Sequence, residues 1–251
     1  RYEQRCSSPI IDMALLRRRE FAFVNTLNFF YGVAVFGVFS FVPLFASSAY
    51  GMGSGETGRL LTPRAVVMMV VSSAASVALP RTGYRKPIIG GLLLMAAGMV
   101  LLSLEIHEVE VLGLTFSEFT VLAAIVAFAG LGLGLAGPAA NNAAIELAPD
   151  RVAAITGMRG MFRSLGGAIG VALIVLITST ASSVQHGLAI AFVGLSVLTV
   201  LTSLLVLGIP DKSTPLSLGA SAPNPTRAWQ QDRHPQPVRA PSSTSTARET
   251  A

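Results

Sequence analysis

The stretch GLGLGLAGPAANNAAIELAPD, Gly130 to Asp150, places Gly132, Gly134 and Gly137 at the spacing G-x-G-x-x-G. In a dinucleotide-binding turn such glycines let the backbone approach a pyrophosphate seated on a helix N-terminus. That chemistry needs a strand before the glycines, a helix opening after them, and an acid about 20 residues further on. Here FTVLAAIVAFAG runs into the glycines without a turn residue, and the uncharged interval Phe119 to Ile145 is too long for a strand. The next acids are Glu146, inside the same run, and Asp150, which comes early and beside Pro149. The nucleotide reading is set aside. No serine–histidine–acid set, metal-ligand cluster or phosphate loop is found elsewhere, and His107 and His186 fall at loop positions without partners. No catalytic residue, metal or cofactor is assigned, and the chain is not expected to be an enzyme.

The same glycines have a use inside a helix. Gly130 and Gly134 are four residues apart, as are Gly132 and Ala136, so small residues line adjoining helix faces. Such stripes let helix backbones approach closely in lipid, where association depends on packing and not on hydrophobic expulsion. Pro138 removes a backbone hydrogen bond just beyond them and can bend the helix. RSLGGAIGVALIV repeats the theme with Gly166 and Gly170, and with Ser164, Ala168 and Ala172. Gly130, Gly134, Pro138, Gly166 and Gly170 are thus read as packing or hinge positions, with a static helix pair and a mobile pivot both open.

The elements that must carry these residues follow from charge. Of 251 residues, 52% are hydrophobic and only 12% charged, about half the share of charge in soluble domains. The net charge of +5 could point to nucleic acid, but the basic residues form short clusters between long uncharged runs, without an aromatic platform. Uncharged intervals cover Phe21–Gly55, Ala65–Pro80, Pro87–Leu104 and Phe119–Ile145, and between Ser164 and Pro210 only His186 is ionisable. A spanning helix needs roughly 20 apolar residues. The chain is therefore read as all-α, a polytopic membrane protein with helices at 21–46, 58–80, 87–106, 117–147, 152–180 and 186–209. The last long interval is divided at TSTASSVQHG. Residues 1–20 form a juxtamembrane segment. Residues 210–251, rich in Pro, Ser, Thr and Ala, cannot bury enough surface to offset their ordering entropy and are expected to be a disordered tail with Trp229 exposed to solvent.

Loop charges orient the helices. Arg17, Arg18 and Arg19 precede the first helix, Arg81, Arg85 and Lys86 follow the second, and Arg151 follows the fourth, with Arg159 and Arg163 just beyond. The opposite loops carry Glu105, Glu108, Glu110 and Glu118. By the positive-inside rule both ends of the chain are cytoplasmic, in a cell membrane. Arg159 and Arg163 share one face and are expected to reach lipid phosphate or to pair with Glu146 or Asp150, with a gating role as the alternative.

GLGLGLAGPAANNA…APDRVAAITGMRGMFRSLGGAIGVAL resembles the fourth and fifth helices of the carboxy-terminal half of major facilitator superfamily exporters, in particular the fourteen-helix drug:proton antiporters of the multidrug efflux branch. RYEQRCSSPIIDMALLRRREFAFVNTLNFFYGVAVFG is similar to the approach into that half, and GETGRLLTPRAVVMMV to its second helix. In the loop corresponding to the family motif G-x-x-x-D-R-x-G-R-K, Arg81 and Gly83 match, while Ser76, Pro80 and Tyr84 depart from the first glycine, the aspartate and the following arginine. The resemblance covers residues 1–209. It implies one half of a major facilitator fold, with eight helices preceding Arg1, and proton-coupled efflux of small, drug-like amphipathic compounds. Its partners would be the lipid bilayer, a small-molecule substrate, protons, and a missing amino-terminal half or a second copy, with no nucleic acid. It implies a cavity at the bilayer midplane, and the candidates for substrate binding there are Asn25, Asn28, Tyr31, Arg64, Asn141 and Asn142. For the asparagines the alternative is a bond to a neighbouring helix, and for Arg64 it is reach toward the outer surface. All acids of the helical region lie at helix ends or in loops, so the coupling carboxylate is expected in the missing half. A dimeric half-transporter and a non-transporting, partner-binding membrane protein remain as alternatives.

Overall fold

The computed structural model describes residues 19–107, 109–111, 114–146 and 152–208. Among them are six helices long and apolar enough to cross a membrane: α1 (Arg19–Tyr50), α2 (Ser54–Thr82), α3 (Arg85–Ser103), α4 (Glu118–Glu146), α5 (Val152–Thr180) and α6 (Val184–Leu205), followed by a 3-10 turn at Val206–Gly208. The all-α fold expected from the charge-free intervals is the observed one. Its helices overrun those intervals where backbone bonding decides the boundary. α2 begins at Ser54 and not at 58, because the Glu56 carboxylate accepts the Gly53 N–H at 3.2 Å and caps the first turn. α1 runs on to Tyr50 and stops where Gly51 takes a left-handed φ of 64°.

The loop between α3 and α4 contains a short antiparallel hairpin, β1 (Val109–Val111) with β2 (Leu114–Phe116), in the register Val109↔Phe116, Glu110↔Thr115 and Val111↔Leu114. The Tyr50 hydroxyl donates to the Ile106 carbonyl at 3.2 Å and fastens this loop to the end of α1. The segments before Arg19 and after Gly208, and with them residues 1–18 of the expected juxtamembrane segment 1–20, the tail and Trp229, lie outside the described residues, while residues 19 and 20 already belong to α1.

Packing follows a repeated scheme. α1 packs most extensively on α5 and α4 on α2; α4 also packs on α3, α1 on α6, and α3 on α6. Exchanging α1 with α4, α2 with α5 and α3 with α6 interchanges the first two pairs, interchanges the next two and leaves α3 with α6 unchanged, so residues 19–103 and 118–205 form two three-helix units of the same plan. Because each unit has an odd number of spans, the two run in opposite senses across a bilayer. α1 and α4 are the most enclosed helices, whereas α2 and α5 are the least. Met69, Val70 and Val77 on α2, with Leu165, Ile169 and Leu176 on α5, are exposed. Such a surface is a liability in water and the expected one against hydrocarbon.

Candidate functional site

The four glycines of α4 face three different helices. A Cβ added at Gly130 would stand 2.8 Å from Arg64 Cγ and 3.0 Å from the Arg64 carbonyl, and at Gly134 3.0 Å from the Met68 carbonyl, both on α2. At Gly132 it would stand 2.4 Å from the Gly91 carbonyl on α3. Gly137 looks toward the Tyr31 hydroxyl of α1, 3.8 Å from where its Cβ would be. α4 runs unbroken through Pro138, so the G-x-G-x-x-G opens no helix and presents no N-terminus to a phosphate. The pairing of α1 with α5 shows the same close approach. A Cβ at Gly32 would stand 2.1 Å from the Arg163 carbonyl, at Gly166 2.0 Å from the Phe29 carbonyl, and at Gly170 2.5 Å from the Val33 carbonyl. In each of these two pairings between the units, therefore, a glycine of the enclosed helix lies on the backbone of an arginine: Gly130 on Arg64 and Gly32 on Arg163.

Both arginines lie near the middle of their helices. Arg64 is four residues, or about 6 Å, from the middle of α2, and Arg163 three residues, or about 4.5 Å, from the middle of α5. Both guanidinium groups turn onto α1. Arg64 Cζ lies 4.0 Å from the Phe39 ring centroid; Arg163 Cζ lies 5.2 Å from that of Tyr31 and 5.5 Å from that of Phe36. Distances of this order let the ring quadrupole attract the cation. The buried Tyr31 is within electrostatic reach of Arg64, Arg159 and Arg163. The Nε atoms of Arg64 and Arg163 are buried and have no hydrogen-bond partner among the described residues.

This arrangement corrects the expectation for Arg163, whose guanidinium is drawn inward over Tyr31 and Phe36. Glu146 does not pair with it or with Arg159, since its carboxylate accepts the Tyr84 hydroxyl instead; Asp150 lies outside the described residues. Sequence reading grouped Arg159 with Arg163 by their shared face and left Arg64 apart. Arg64 stands ten residues past the start of α2 and Arg163 eleven past the start of α5, a similarity that appears only once the structure sets those starts.

Asn25 and Asn28 are buried at 4% and 3% exposure. The Asn28 amide donates to the Val24 carbonyl of its own helix at 2.8 Å. Asn141 and Asn142 are half-buried near the far end of α4. Of the sequence candidates, Tyr31 is within electrostatic reach of Arg64, and among the described residues Asn28, Asn141 and Asn142 are hydrogen-bonded to neither. The carboxylates whose side chains are described are engaged at helix ends: Glu56 with Gly53, Glu105 with the Gln185 amide at 2.6 Å, Glu118 with His107 at 3.3 Å, and Glu146 with Tyr84. His107 thus has a partner after all, and its ring also lies 4.8 Å from that of Tyr50. Among the described residues no group of histidines, cysteines and acids could hold a metal ion.

The loop departing from the family motif is nonetheless tied down. Gly83 takes a φ of 72° and donates to Leu79 at 3.1 Å. Tyr84 then reaches Glu146 on α4, and Arg85 donates to the Leu207 carbonyl at 2.9 Å. Burial and the neighbouring carboxylate hold the Tyr84 phenol well above the ordinary tyrosine range.

The Major Facilitator Superfamily sequence profile matches residues 10–245. The chain belongs to the major facilitator superfamily. It is a multi-pass membrane protein of a family of transporters, and not an enzyme. It is similar to Multidrug transporter protein MdtP of Bacillus subtilis, 30% identical over 174 residues, covering 68% of this chain and 30% of that protein. It is also similar to Colistin resistance protein EmrB of Acinetobacter baumannii, 25% identical over 66% of this chain and 31% of that protein. Quinolone resistance protein NorB of Staphylococcus aureus strain Newman is 28% identical over 215 residues, 81% of this chain and 44% of that protein. The chain thus spans between 30% and 44% of the length of these curated relatives. For a major facilitator chain, the two three-helix units and the meeting of α1, α2, α4 and α5 around Tyr31 are where a transport site is to be sought.

Proposed function

We propose that this chain is the carboxy-terminal half of a proton-coupled exporter of small, drug-like amphipathic compounds, of the fourteen-helix type, with residues 21–209 as its membrane domain, residues 1–20 and 210–251 cytoplasmic, and the cell membrane as its location. The observation that carries the reading is that Arg64 and Arg163, each near the middle of its helix, turn their guanidinium groups onto aromatic rings of α1. A cation at that depth is costly unless it faces a wetted or substrate-filled space. The names of the similar proteins, a multidrug transporter and two resistance proteins, support drug-like cargo. Tyr31 and Arg64 are the substrate-facing residues, with Asn141 and Asn142 at the rim; Asn25 and Asn28 act in packing. Gly130, Gly134, Gly166 and Gly170 hold the helix pairs that tilt together when access alternates. Because the described carboxylates stand at helix ends, the proton-carrying acid belongs to helices preceding this chain. The test is energised efflux of a fluoroquinolone from cells producing the intact gene product. Arg64→Ala should reduce export severalfold while membrane abundance stays normal, and a protonophore should abolish export by the unaltered protein. Export unchanged by Arg64→Ala would return that residue to a packing role.

A further inference from the structure

We propose that an open cavity where α3 ends and α6 begins seats the head group of a membrane phospholipid carrying a primary ammonium, recognised by the carboxylate of Glu105. The inference does not depend on the transporter reading. The cavity, of about 430 Å³, lies between the end of α3 and the first turns of α6, at the end of the bundle away from Arg85. Ser103, Glu105 and His186 give it a polar part, and Leu104, Ile190 and Val193 an apolar part. These three apolar residues are exposed, and from Ile190 and Val193 the exposed ridge continues through Val197, Leu201 and Leu204 along one side of α6. A polar site at the head of an apolar ridge on a spanning helix stands where lipid head groups meet hydrocarbon.

Glu105 is an unusual residue for its position. It follows the end of α3, where the backbone turns left-handed with a φ of 49°, and among the described residues it alone does so without being a glycine. Glycine or asparagine ordinarily fills such a position, because a larger side chain strains it. Here the chain puts a carboxylate there and fixes it, with one oxygen accepting the Gln185 amide of α6 at 2.6 Å. No described cation pairs with Glu105; the ion pair among the described residues joins His107 with Glu118. The Ser103 hydroxyl donates to the Val100 carbonyl at 2.7 Å, which leaves its oxygen able to accept. A primary ammonium brings three N–H donors to these acceptors, and a charge that strengthens the bond to the carboxylate. The His186 ring, without a hydrogen-bond partner among the described residues, supplies an N–H for the phosphate, and the α6 ridge is an apolar bed for the acyl chains. A trimethylammonium head group has no donor to give, and a glycerol head group no positive charge. One carboxylate and one imidazole are too few to hold a metal ion instead.

Three lipids with the same acyl chains decide the matter: palmitoyl-oleoyl phosphatidylethanolamine, phosphatidylcholine and phosphatidylglycerol. Each is titrated into the purified intact gene product in detergent, and native mass spectrometry counts the lipid bound. The expected result is saturable phosphatidylethanolamine binding about fivefold tighter than that of either other lipid. This preference should fall below about twofold in Glu105→Gln and Glu105→Asn and persist in part in Glu105→Asp, while Glu118→Gln, outside the cavity, leaves it intact. Asparagine is at ease in left-handed backbone, so Glu105→Asn removes the charge without new strain. Equal affinity for the three lipids overturns the proposal, as does a preference for phosphatidylglycerol or an ethanolamine preference indifferent to both neutral variants. Displacement of the lipid by an equimolar amount of dodecylammonium overturns it as well, since a free amine would then be the better occupant. The wild-type comparison stands even if a variant fails to fold. Drug efflux by a protein without lipid preference would sink this inference alone, and lipid preference in a protein without efflux would sink only the transporter reading.

Discussion

Gly166→Ala and Gly160→Ala lie on the same helix, six residues apart, and should have opposite effects. A Cβ at Gly166 would stand 2.0 Å from the Phe29 carbonyl oxygen, 2.9 Å from its carbon and 3.1 Å from Val33 N, all backbone of α1. Carbon–oxygen contacts between helices settle at roughly 3.3 Å or more, so the two helices must part by about 1 Å. No side chain can rotate away to relieve backbone atoms. Gly32 and Gly170 lie in the same seam, with added Cβ positions 2.1 Å and 2.5 Å from opposing carbonyls, so a local separation also loosens their contacts. Overpacking of this kind costs about 1–3 kcal/mol, more than the ~0.5–1 kcal/mol that replacing a helical glycine by alanine returns. At Gly160 nothing lies within 4 Å of the added methyl, and only that gain applies. The assay is thermal unfolding of the purified protein in one detergent at one scan rate, since such unfolding is often irreversible. Gly166→Ala should melt below the unaltered protein and Gly160→Ala at or above it. Equal midpoints for the two variants would refute the close seam between α1 and α5.

The Gly132–Gly91 approach of α4 and α3 gives a second test. Gly132→Ala and Gly91→Ala should each lower the melting midpoint, and the double variant should lose less than the summed losses, because one helix shift relieves both clashes; strict additivity would count against a shared interface. Tyr84→Phe removes the bond that ties the start of α3 to the end of α4 and should cost about 1–2 kcal/mol in unfolding measurements. Because the folded phenol's pKa is raised, its contribution is fully present below the unfolded tyrosine value near 10 and declines only as pH rises above it. The difference between wild type and Tyr84→Phe should therefore be the same at pH 7 and pH 9, and a difference vanishing by pH 9 would mean that the phenol is not held as described.

The spans were legible because hydrocarbon imposes a simple requirement: every charge must leave a stretch of roughly 20 residues. Hydropathy could not place the helix ends at Ser54 or Tyr50, which depend on the Glu56 cap and on the left-handed Gly51. It also passed over the hairpin at Val109–Phe116, whose strands are three residues each and too short to stand out. The glycine spacing in α4 was visible, yet spacing alone states only that one face is small. Which helix fills it is a matter of three dimensions, and Gly130 and Gly132, two residues apart, turn out to meet α2 and α3 respectively.

The candidate site divides in the same way. Arg64 stood out in the sequence because a charge inside a long apolar run is rare and needs a reason. Asn25 and Asn28 stood out for the same reason; both are buried, and Asn28 bonds its own helix. Arg163 looked like an arginine near a helix start, and only the packing of α5 on α1 brings its guanidinium over Tyr31. Local sequence thus determined the class of the protein, the number of its described helices and their small-residue faces, since lipid and backbone bonding act residue by residue. The placement of Arg163 over Tyr31 joins residues over a hundred positions apart, and it was decided by the helix pairings of the folded bundle.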